Sequence, residues 1–252
     1  MTTDDIRYSR QITLPAIGAT GQQRLGDTSV LIVGMGGLGT PASMYLANSG
    51  VGQLLINDFD TVDTSNLPRQ VLYRDADTGK PKATAAAECL KLINPNVTTI
   101  AMGSRLDRDG LTELTAAVDV VLDCTDNFAS RWLINEVRAD MKTPLVSGAA
   151  IRWEGQLAVF RHDQAGGPCY RCLYSEADEN LNDCAGQGIV APVAGTVGTM
   201  MATETIKLLL DIESASAGNL WIYDGLAGTS KTIAIPAQPD CPVCSTQAAT
   251  SL

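Results

Sequence analysis

Histidine, basic tracts and long apolar runs are the scarcest features of this 252-residue chain. His162 is the only histidine, and 28 acidic residues outnumber 18 basic ones, which gives a formal net charge of −10. A protein that binds duplex nucleic acid needs a concentrated basic surface, and the sequence contains no run of lysine or arginine. No apolar run reaches the roughly 20 residues of a membrane-spanning helix. We therefore expect no nucleic-acid partner and no membrane association.

The amino-terminal residues also lack the basic stretch and apolar stretch of a secretory leader. We expect a cytoplasmic protein whose seven cysteines stay reduced, which favours metal-binding or catalytic roles over disulfides. With 45% hydrophobic and only 18% charged residues, the chain is long enough for one large domain with a real core.

Short apolar runs alternate with helical segments through the first 150 residues. The runs at residues 29–33 and 53–57 flank a glycine-rich turn and a helix, which is a βαβ pattern. This alternation predicts an α/β fold with a Rossmann-like, mostly parallel sheet and helices on both faces. After Gly148 the pattern changes, and antiparallel strands are expected to continue the sheet. We expect one continuous domain, preceded by a helical arm at residues 1–25.

A glycine-rich turn follows the first predicted strand as Gly34-Met-Gly36-Gly37-Leu-Gly39. Glycines here let the backbone approach a phosphate, and the following helix supplies N–H donors. Asp58 lies a little over twenty residues farther on, after the second strand, where a carboxylate accepts hydrogen bonds from ribose hydroxyls. The alternative is that Asp58 is an ordinary aspartate in a surface turn. Asp60 is the rival candidate for the ribose contact.

These features alone suit an NAD(P)-dependent oxidoreductase equally well. The sequence has no Tyr-x-x-x-Lys pair for hydride chemistry, and His162 is expected in a solvated loop. Arg69 and Lys82 instead place cations where a triphosphate could extend from the glycine turn, although each alone could be an ordinary surface charge. Asp126 follows the fourth strand, in the ligand crevice of such sheets, where a carboxylate can hold Mg²⁺. The alternative for Asp126 is a helix N-cap.

Taken together, these stretches resemble the ThiF/MoeB/HesA family of adenylyltransferases, bacterial relatives of the ubiquitin-activating enzymes. The resemblance follows family order over nearly the whole chain. Its motifs are Arg7-Tyr-Ser-Arg10-Gln11-Ile12, the glycine turn, Asp58-Phe-Asp60, Ser65-Asn66-Leu67-x-Arg69-Gln70, Lys80-Pro81-Lys82, Asp123-Cys-Thr-Asp126-Asn127, Ser147-Gly-Ala-Ala150, Gly155-Gln156, Cys169-Tyr-Arg-Cys172 and Cys241-Pro-Val-Cys244.

The resemblance implies that ATP and Mg²⁺ are used to adenylylate a ubiquitin-like sulfur-carrier protein at its C-terminal Gly-Gly carboxylate. It implies an ATP-binding part at residues 26–150 and a carrier-binding part at residues 151–252. By analogy Asp126 organises Mg²⁺, Arg69 and Lys82 hold phosphates, and Asn66 and Gln70 line the same pocket. Family members form homodimers in which the N-terminal arginine, here Arg10, reaches the partner's ATP.

Four cysteines form two C-x-x-C pairs, Cys169 with Cys172 and Cys241 with Cys244. Four thiolates suit a tetrahedral structural Zn²⁺ with no open coordination position, although free thiols or two redox pairs are the alternatives. In the resembled family a crossover loop carries a further cysteine, here Cys184. It is linked in some members to a covalent intermediate with the carrier, and a cysteine not needed for adenylylation is the alternative.

The sequence leaves the pathway open. Residues 7–10 and Cys184 favour thiamine synthesis with a ThiS-type carrier, whereas residues 147–152 favour molybdopterin synthesis with a MoaD-type carrier. One enzyme that serves both carriers is a third possibility. We expect a separate sulfur donor, of the cysteine desulfurase or rhodanese type, because little sequence follows Cys244. A non-catalytic scaffold that binds nucleotide and a ubiquitin-like partner is a further alternative, but the set of Arg69, Lys82 and Asp126 favours an enzyme.

Overall fold

A computed structural model describes residues 6–164, 166–174 and 188–245 of the chain. Its strands are β1 (Ser29–Val33), β2 (Gln53–Asn57), β3 (Thr98–Met102), β4 (Val120–Asp123), β5 (Leu145–Ile151), β6 (Glu154–Phe160), β7 (Asn219–Asp224) and β8 (Thr229–Ala234). Its α-helices are α1 (Ser9–Ile12), α2 (Gly18–Gly26), α3 (Gly39–Ser49), α4 (Lys82–Ile93), α5 (Arg108–Ala116), α6 (Phe128–Asp140), α7 (Tyr170–Leu173) and α8 (Ala191–Leu209).

The eight strands form one sheet in the order β3-β2-β1-β4-β5-β6-β7-β8. Strands β1 to β5 pair in parallel, and β5 to β8 pair antiparallel. Val33 pairs with both Asn57 and Asp123, so three strands end at the same level. This arrangement confirms the predicted α/β fold with an antiparallel continuation.

The sheet separates two hydrophobic cores because successive side chains of a strand point to opposite faces. Val30 and Ile32 of β1 pack into the core that includes residues of α3, α4 and α8. Leu31 and Val33 pack into the other core, with residues of α5, α6 and α7. Both faces of the central strands are therefore covered, which explains their continuous apolar sequences.

Helix α8 packs tightly against the middle of the sheet and against the start of α3. A Cβ atom at Gly148 would lie 2.4 Å from Met201 Sδ, and one at Gly198 would lie 2.5 Å from Leu38 O. These close approaches require glycine, and they fix the turn before α3 in place. Within the described ranges, no helix is both long and apolar enough to cross a bilayer.

Strand β5 is longer than the sequence predicted. The residues at 144–147 predict a strand that ends at Ser147, whereas the observed strand continues to Ile151. Its extra residues pair only with β6, where Gly148 lies opposite Leu157 and Ile151 opposite Glu154. The small side chains of this segment carry no apolar pattern, so the extension depends on pairing with a neighbouring strand.

Candidate functional site

A cleft of about 990 Å³ lies where the central strands end. Its lining includes these residues singled out from the sequence: Gly34, Gly36, Gly37, Asp58, Asn66, Arg69, Gln70, Lys82 and Asp126. Parallel strands present their carboxyl ends at one edge of a sheet, so segments far apart in sequence meet there. We call this space the cleft.

The glycine turn forms one wall of the cleft. Gly34 has φ of +95°, and a Cβ atom on it would lie 2.8 Å from Cys124 O. A Cβ atom on Gly39 would lie 2.0 Å from Gly34 O, so the turn can enter α3 only with glycine there. At Gly36 the nearest atom would be Gln70 Nε2 at 3.7 Å, which leaves space for a ligand beside the backbone.

Asp58 is held rigidly at the end of β2. Its Oδ2 accepts a hydrogen bond from Met35 N at 2.7 Å, and its Oδ1 accepts one from Asp60 N at 2.8 Å. The side chain is only 8% exposed, and burial raises the pKa of its carboxyl group despite these hydrogen bonds. The carboxylate is thus oriented by the glycine turn itself.

The two cations predicted for phosphate binding both lie at the cleft. Lys82 begins α4, is buried, and donates from Nζ to Asp60 Oδ2 at 3.0 Å. Arg69 is half-buried, and its Nη1 donates to Ser65 O at 3.0 Å. Asp60, the rival to Asp58, is therefore a partner of Lys82. Both cations have flexible side chains that a phosphate can recruit.

Asp126 is exposed in the cleft and does not cap the following helix. The N-cap of α6 is Asn127, whose Oδ1 accepts a hydrogen bond from Ser130 N at 2.9 Å. The N-cap alternative for Asp126 was therefore wrong by one residue. Asn127 Nδ2 lies 3.5 Å from Asp126 Oδ1. The carboxylate thus keeps most of its coordinating capacity for a ligand.

The buried pair of Asp123 and Arg131 supports Asp126 and was missed in the sequence. Asp123 accepts hydrogen bonds from Thr125 N, from Thr125 Oγ1 at 2.7 Å and from Ser147 Oγ at 3.0 Å. Arg131 donates to Gly148 O and Thr125 O, and its Nη1 lies 3.8 Å from Asp123 Oδ2. The sequence signal that could have indicated this pair is the position of Arg131, one helical turn after the N-cap Asn127.

Two further contacts at the cleft also escaped the sequence. Tyr73 donates from its hydroxyl to Met35 O at 2.9 Å and lies 3.3 Å from Lys82 O, which links the glycine turn to α4. The Arg105 guanidinium lies 4.2 Å from the centre of the exposed Phe59 ring. No local sequence pattern indicates either contact. Gln70 Oε1 is buried without a hydrogen-bond partner among the residues described, so a ligand can use it.

The four paired cysteines come together as predicted, in a group that we call the cysteine cluster. Their Sγ atoms all lie within 4.8 Å of one another. The shortest separations join one cysteine from each pair, at 3.5 Å for Cys169 and Cys241 and 3.4 Å for Cys172 and Cys244. Zn–S bonds of about 2.3 Å in a tetrahedron place sulfur atoms about 3.8 Å apart, so the cluster fits zinc.

Three other sequence predictions have different outcomes. His162 is 6% exposed, so its assignment to a solvated loop was wrong; burial, followed by the charge of Arg138, lowers its pKa to about 4. Arg10 is exposed on α1 and is not among the residues lining the cleft. Cys184 lies outside the described residues.

Comparison with known proteins identifies the family. The profile described as the ThiF family matches residues 8–243. The chain belongs to the ThiF family. One relative is the molybdopterin-synthase adenylyltransferase of Salmonella typhimurium, with 44% identity over 95% of this chain and 96% of that protein.

Other relatives carry different names at similar identity. The sulfur carrier protein ThiS adenylyltransferase of Escherichia coli is 44% identical over 96% of this chain and 95% of that protein. The SAMP-activating enzyme E1 of Haloferax volcanii is 45% identical over 94% of this chain and 88% of that protein. A crystal structure of E. coli MccB with ATP superposes with a TM-score of 0.81 over 94% of this chain and 74% of that one; at 22% identity this shows the shared fold alone.

Proposed function

We propose that this ThiF-family chain is an adenylyltransferase that uses ATP to activate a ubiquitin-like sulfur carrier at its C-terminal Gly-Gly carboxylate. One observation carries the proposal. A single cleft combines the glycine turn, the oriented carboxylate of Asp58, the cations Arg69 and Lys82 and the accessible carboxylate of Asp126. The ThiF-family relatives named as adenylyltransferases support it.

The proposed reaction joins a carboxylate oxygen of the carrier to the α-phosphorus of ATP, and the bond from that phosphorus to the bridging oxygen of pyrophosphate breaks. The nucleophile is already ionised at neutral pH, so no general base is needed. The barrier lies in bringing two anions together, and catalysis therefore depends on positioning and on charge neutralisation. No histidine is found among the described residues that line the cleft, in agreement with this chemistry.

The residues of the cleft have separate proposed roles. Asp58 accepts hydrogen bonds from the ribose, while the glycine turn presents backbone N–H groups to the phosphates. Arg69 and Lys82 neutralise the phosphate oxygens, and Lys82 exchanges its contact with Asp60 for one with ATP. Asn66 and Gln70 line the same space and supply polar contacts to the nucleotide.

Two metals fit the residues present. Asp126 would hold Mg²⁺, since its carboxylate faces the cleft and is not used as a helix cap. Bound Mg²⁺ would neutralise phosphate charge and orient the leaving pyrophosphate. The cysteine cluster would hold a structural Zn²⁺, because four thiols surround one point and leave no open coordination position.

The partners follow from the same proposal. Residues 26–150 bind ATP and residues 151–252 bind the carrier, in a cytoplasmic homodimer where Arg10 reaches the ATP of the other subunit. A separate donor of the cysteine desulfurase or rhodanese type supplies sulfur. A covalent role for Cys184 stays a prediction. The carrier is of the ThiS or MoaD type, for thiamine or molybdopterin synthesis.

Carrier-dependent exchange of pyrophosphate into ATP tests the reaction. The purified protein should catalyse this exchange with Mg²⁺ and a carrier, and Asp126→Ala should reduce the rate by roughly 10²–10³-fold. Asp75→Ala removes an exposed carboxylate from another part of the chain and should match the unaltered protein. Normal exchange by Asp126→Ala would refute the metal assignment, and enhanced NADH fluorescence without any exchange would favour an oxidoreductase.

Mixing two inactive variants tests the shared site. Arg10→Ala and Asp126→Ala should each be nearly inactive alone, whereas a refolded equal mixture should regain about a quarter of the normal rate, because half of the dimers contain one intact site. No recovery, despite mixed dimers detected by mass spectrometry, would mean that Arg10 acts in its own subunit, and an active Arg10→Ala variant would place Arg10 outside the catalytic machinery. Parallel assays with carriers of the two types would then identify the pathway.

A further inference from the structure

A fully buried arginine lies on α6, which packs against α7, the helix that contains Cys172. Arg138, on the inner face of α6, is 0% exposed. Its Nη2 donates to Asn135 Oδ1 at 2.6 Å, and its Nη1 lies 3.5 Å from Phe160 O. Its Nε has no hydrogen-bond partner among the residues described. No carboxylate of the described chain lies within salt-bridge distance of the guanidinium, and Asp163, which pairs with Arg161, acts on its charge only from farther away.

Hydrogen bonds connect Arg138 to the segment that carries the first cysteine pair. Asn135 Oδ1, which accepts from Arg138, also accepts from Tyr170 N at 3.0 Å. Tyr170 directly follows Cys169 and opens α7, which contains Cys172. The guanidinium is thus two hydrogen bonds from the backbone that positions the cluster.

The charges of the two features complement each other. Zn²⁺ bound by four thiolates is a doubly negative centre, and such a centre is costly to bury without a nearby cation. Arg138 is a buried cation without a salt-bridge partner among the described residues, and Asn135 links it to the backbone next to Cys169. The two buried charges can therefore compensate each other.

We propose that Arg138 is the buried counter-cation of the zinc centre, positioning the cysteine cluster and strengthening its hold on the metal. This inference rests on the zinc site proposed above. Arg138 is a positioning residue, since it acts through the thiolates and touches no reacting group. The charge of this side chain, beyond its packing, should then determine how tightly zinc is retained.

Competition with a colorimetric chelator tests the proposal on zinc-loaded protein. Arg138→Met keeps a long apolar side chain without charge and should release zinc at roughly tenfold lower chelator concentration. Arg138→Lys restores the charge and should lie much closer to the unaltered protein. Arg108→Met is the matched control, because Arg108 is an exposed arginine of α5 that pairs with Glu136 of α6, the helix that also contains Arg138. Equal zinc retention by Arg138→Met and the control would overturn the proposal.

Thermal unfolding with and without zinc separates charge compensation from packing. Arg138→Met should lower the Tm of the zinc-loaded protein but leave unchanged or raise that of the stripped protein, because it removes an uncompensated buried charge. A decrease of equal size in both states would assign Arg138 a purely structural role. If the unaltered protein binds no zinc, the zinc site fails and this inference fails with it, while the adenylylation assay remains an independent test of function.

Discussion

The cleft and the cysteine cluster differ in how far their functional side chains are exposed to solvent. In the cleft, Asp126 is exposed and Arg69 half-buried around a space of about 990 Å³. In the cluster, Cys169 and Cys241 are no more than 1% exposed, and the four sulfur atoms lie close enough to share one ion. A site that exchanges ligands must leave charged groups accessible, whereas a structural centre encloses them. Substitutions in the cleft should therefore affect rate, and those in the cluster stability.

The largest expected effect is loss of the zinc ion that we propose for the cysteine cluster. Cys241→Ser removes one of four ligands and should abolish stoichiometric zinc binding, lowering the free energy of unfolding by several kcal/mol. Zinc content by atomic absorption and the Tm would measure both effects. Cys89→Ser is the control, because Cys89 lies outside the cluster. A variant that loses its zinc but keeps a normal Tm would contradict the structural role.

Loss of a cation from the cleft should reduce the reaction rate and leave stability almost unchanged. Lys82→Met should slow carrier-dependent pyrophosphate exchange by roughly 10²–10³-fold, about 3–4 kcal/mol in the barrier, because a phosphate contact is lost in a partly enclosed site. Its Tm should change little. Lys80→Met is the matched control, since Lys80 is two residues away and pairs with Asp77 at the surface. Equal losses of rate in Lys82→Met and Lys80→Met would contradict the view that substitutions in the cleft affect the rate specifically.

Acid should weaken the fold near the cluster through His162. Its pKa is about 4 in the folded protein, against a usual value near 6.5, so between these values the unfolded chain binds a proton that the folded chain does not. Stability is therefore lost as the pH falls through this window, by about 1.5 kcal/mol between pH 6.5 and pH 5. Urea unfolding of the unaltered protein and of His162→Leu would measure it. The same pH dependence in both proteins would assign the loss to other groups.

The smallest expected effect concerns the segment between β4 and α6. Asn127→Ala removes the N-cap of α6 and should cost about 1 kcal/mol of stability, whereas Asp126→Ala should leave the helix intact. Comparing the urea midpoints of the two variants tests this distinction. A larger stability loss for Asp126→Ala would mean that the capping role belongs to Asp126 after all.

Features carried by neighbouring residues were predicted well. The sequence placed β1 and β2 at their observed bounds, because each is a short apolar run between polar or glycine residues. The glycine turn was located correctly, since its φ and its close approaches depend on the turn itself. Helix α4 was predicted from residue 80 but begins at Lys82, where Pro81 is the N-cap.

Features that depend on distant segments were missed or misassigned. His162 was expected in solvent, yet it is buried beside Arg138, which lies 24 positions earlier in the chain. The support of the cleft by Asp123 and Arg131 depends on β5, which supplies Ser147 and the carbonyl of Gly148. Composition and periodicity hold no information about such contacts, because burial of a charge is decided by what packs over it.

The sequence by itself determined the alternation of strands and helices, the glycine turn and the presence of two C-x-x-C pairs, since each is encoded within a few consecutive residues. Only the tertiary structure decided which side chains share an environment. It joined the two cysteine pairs, exposed Asp126 and buried Arg138 without a carboxylate partner among the described residues. The reason is physical: hydrogen bonds and electrostatic interactions depend on distance and burial, and both arise when remote segments pack together.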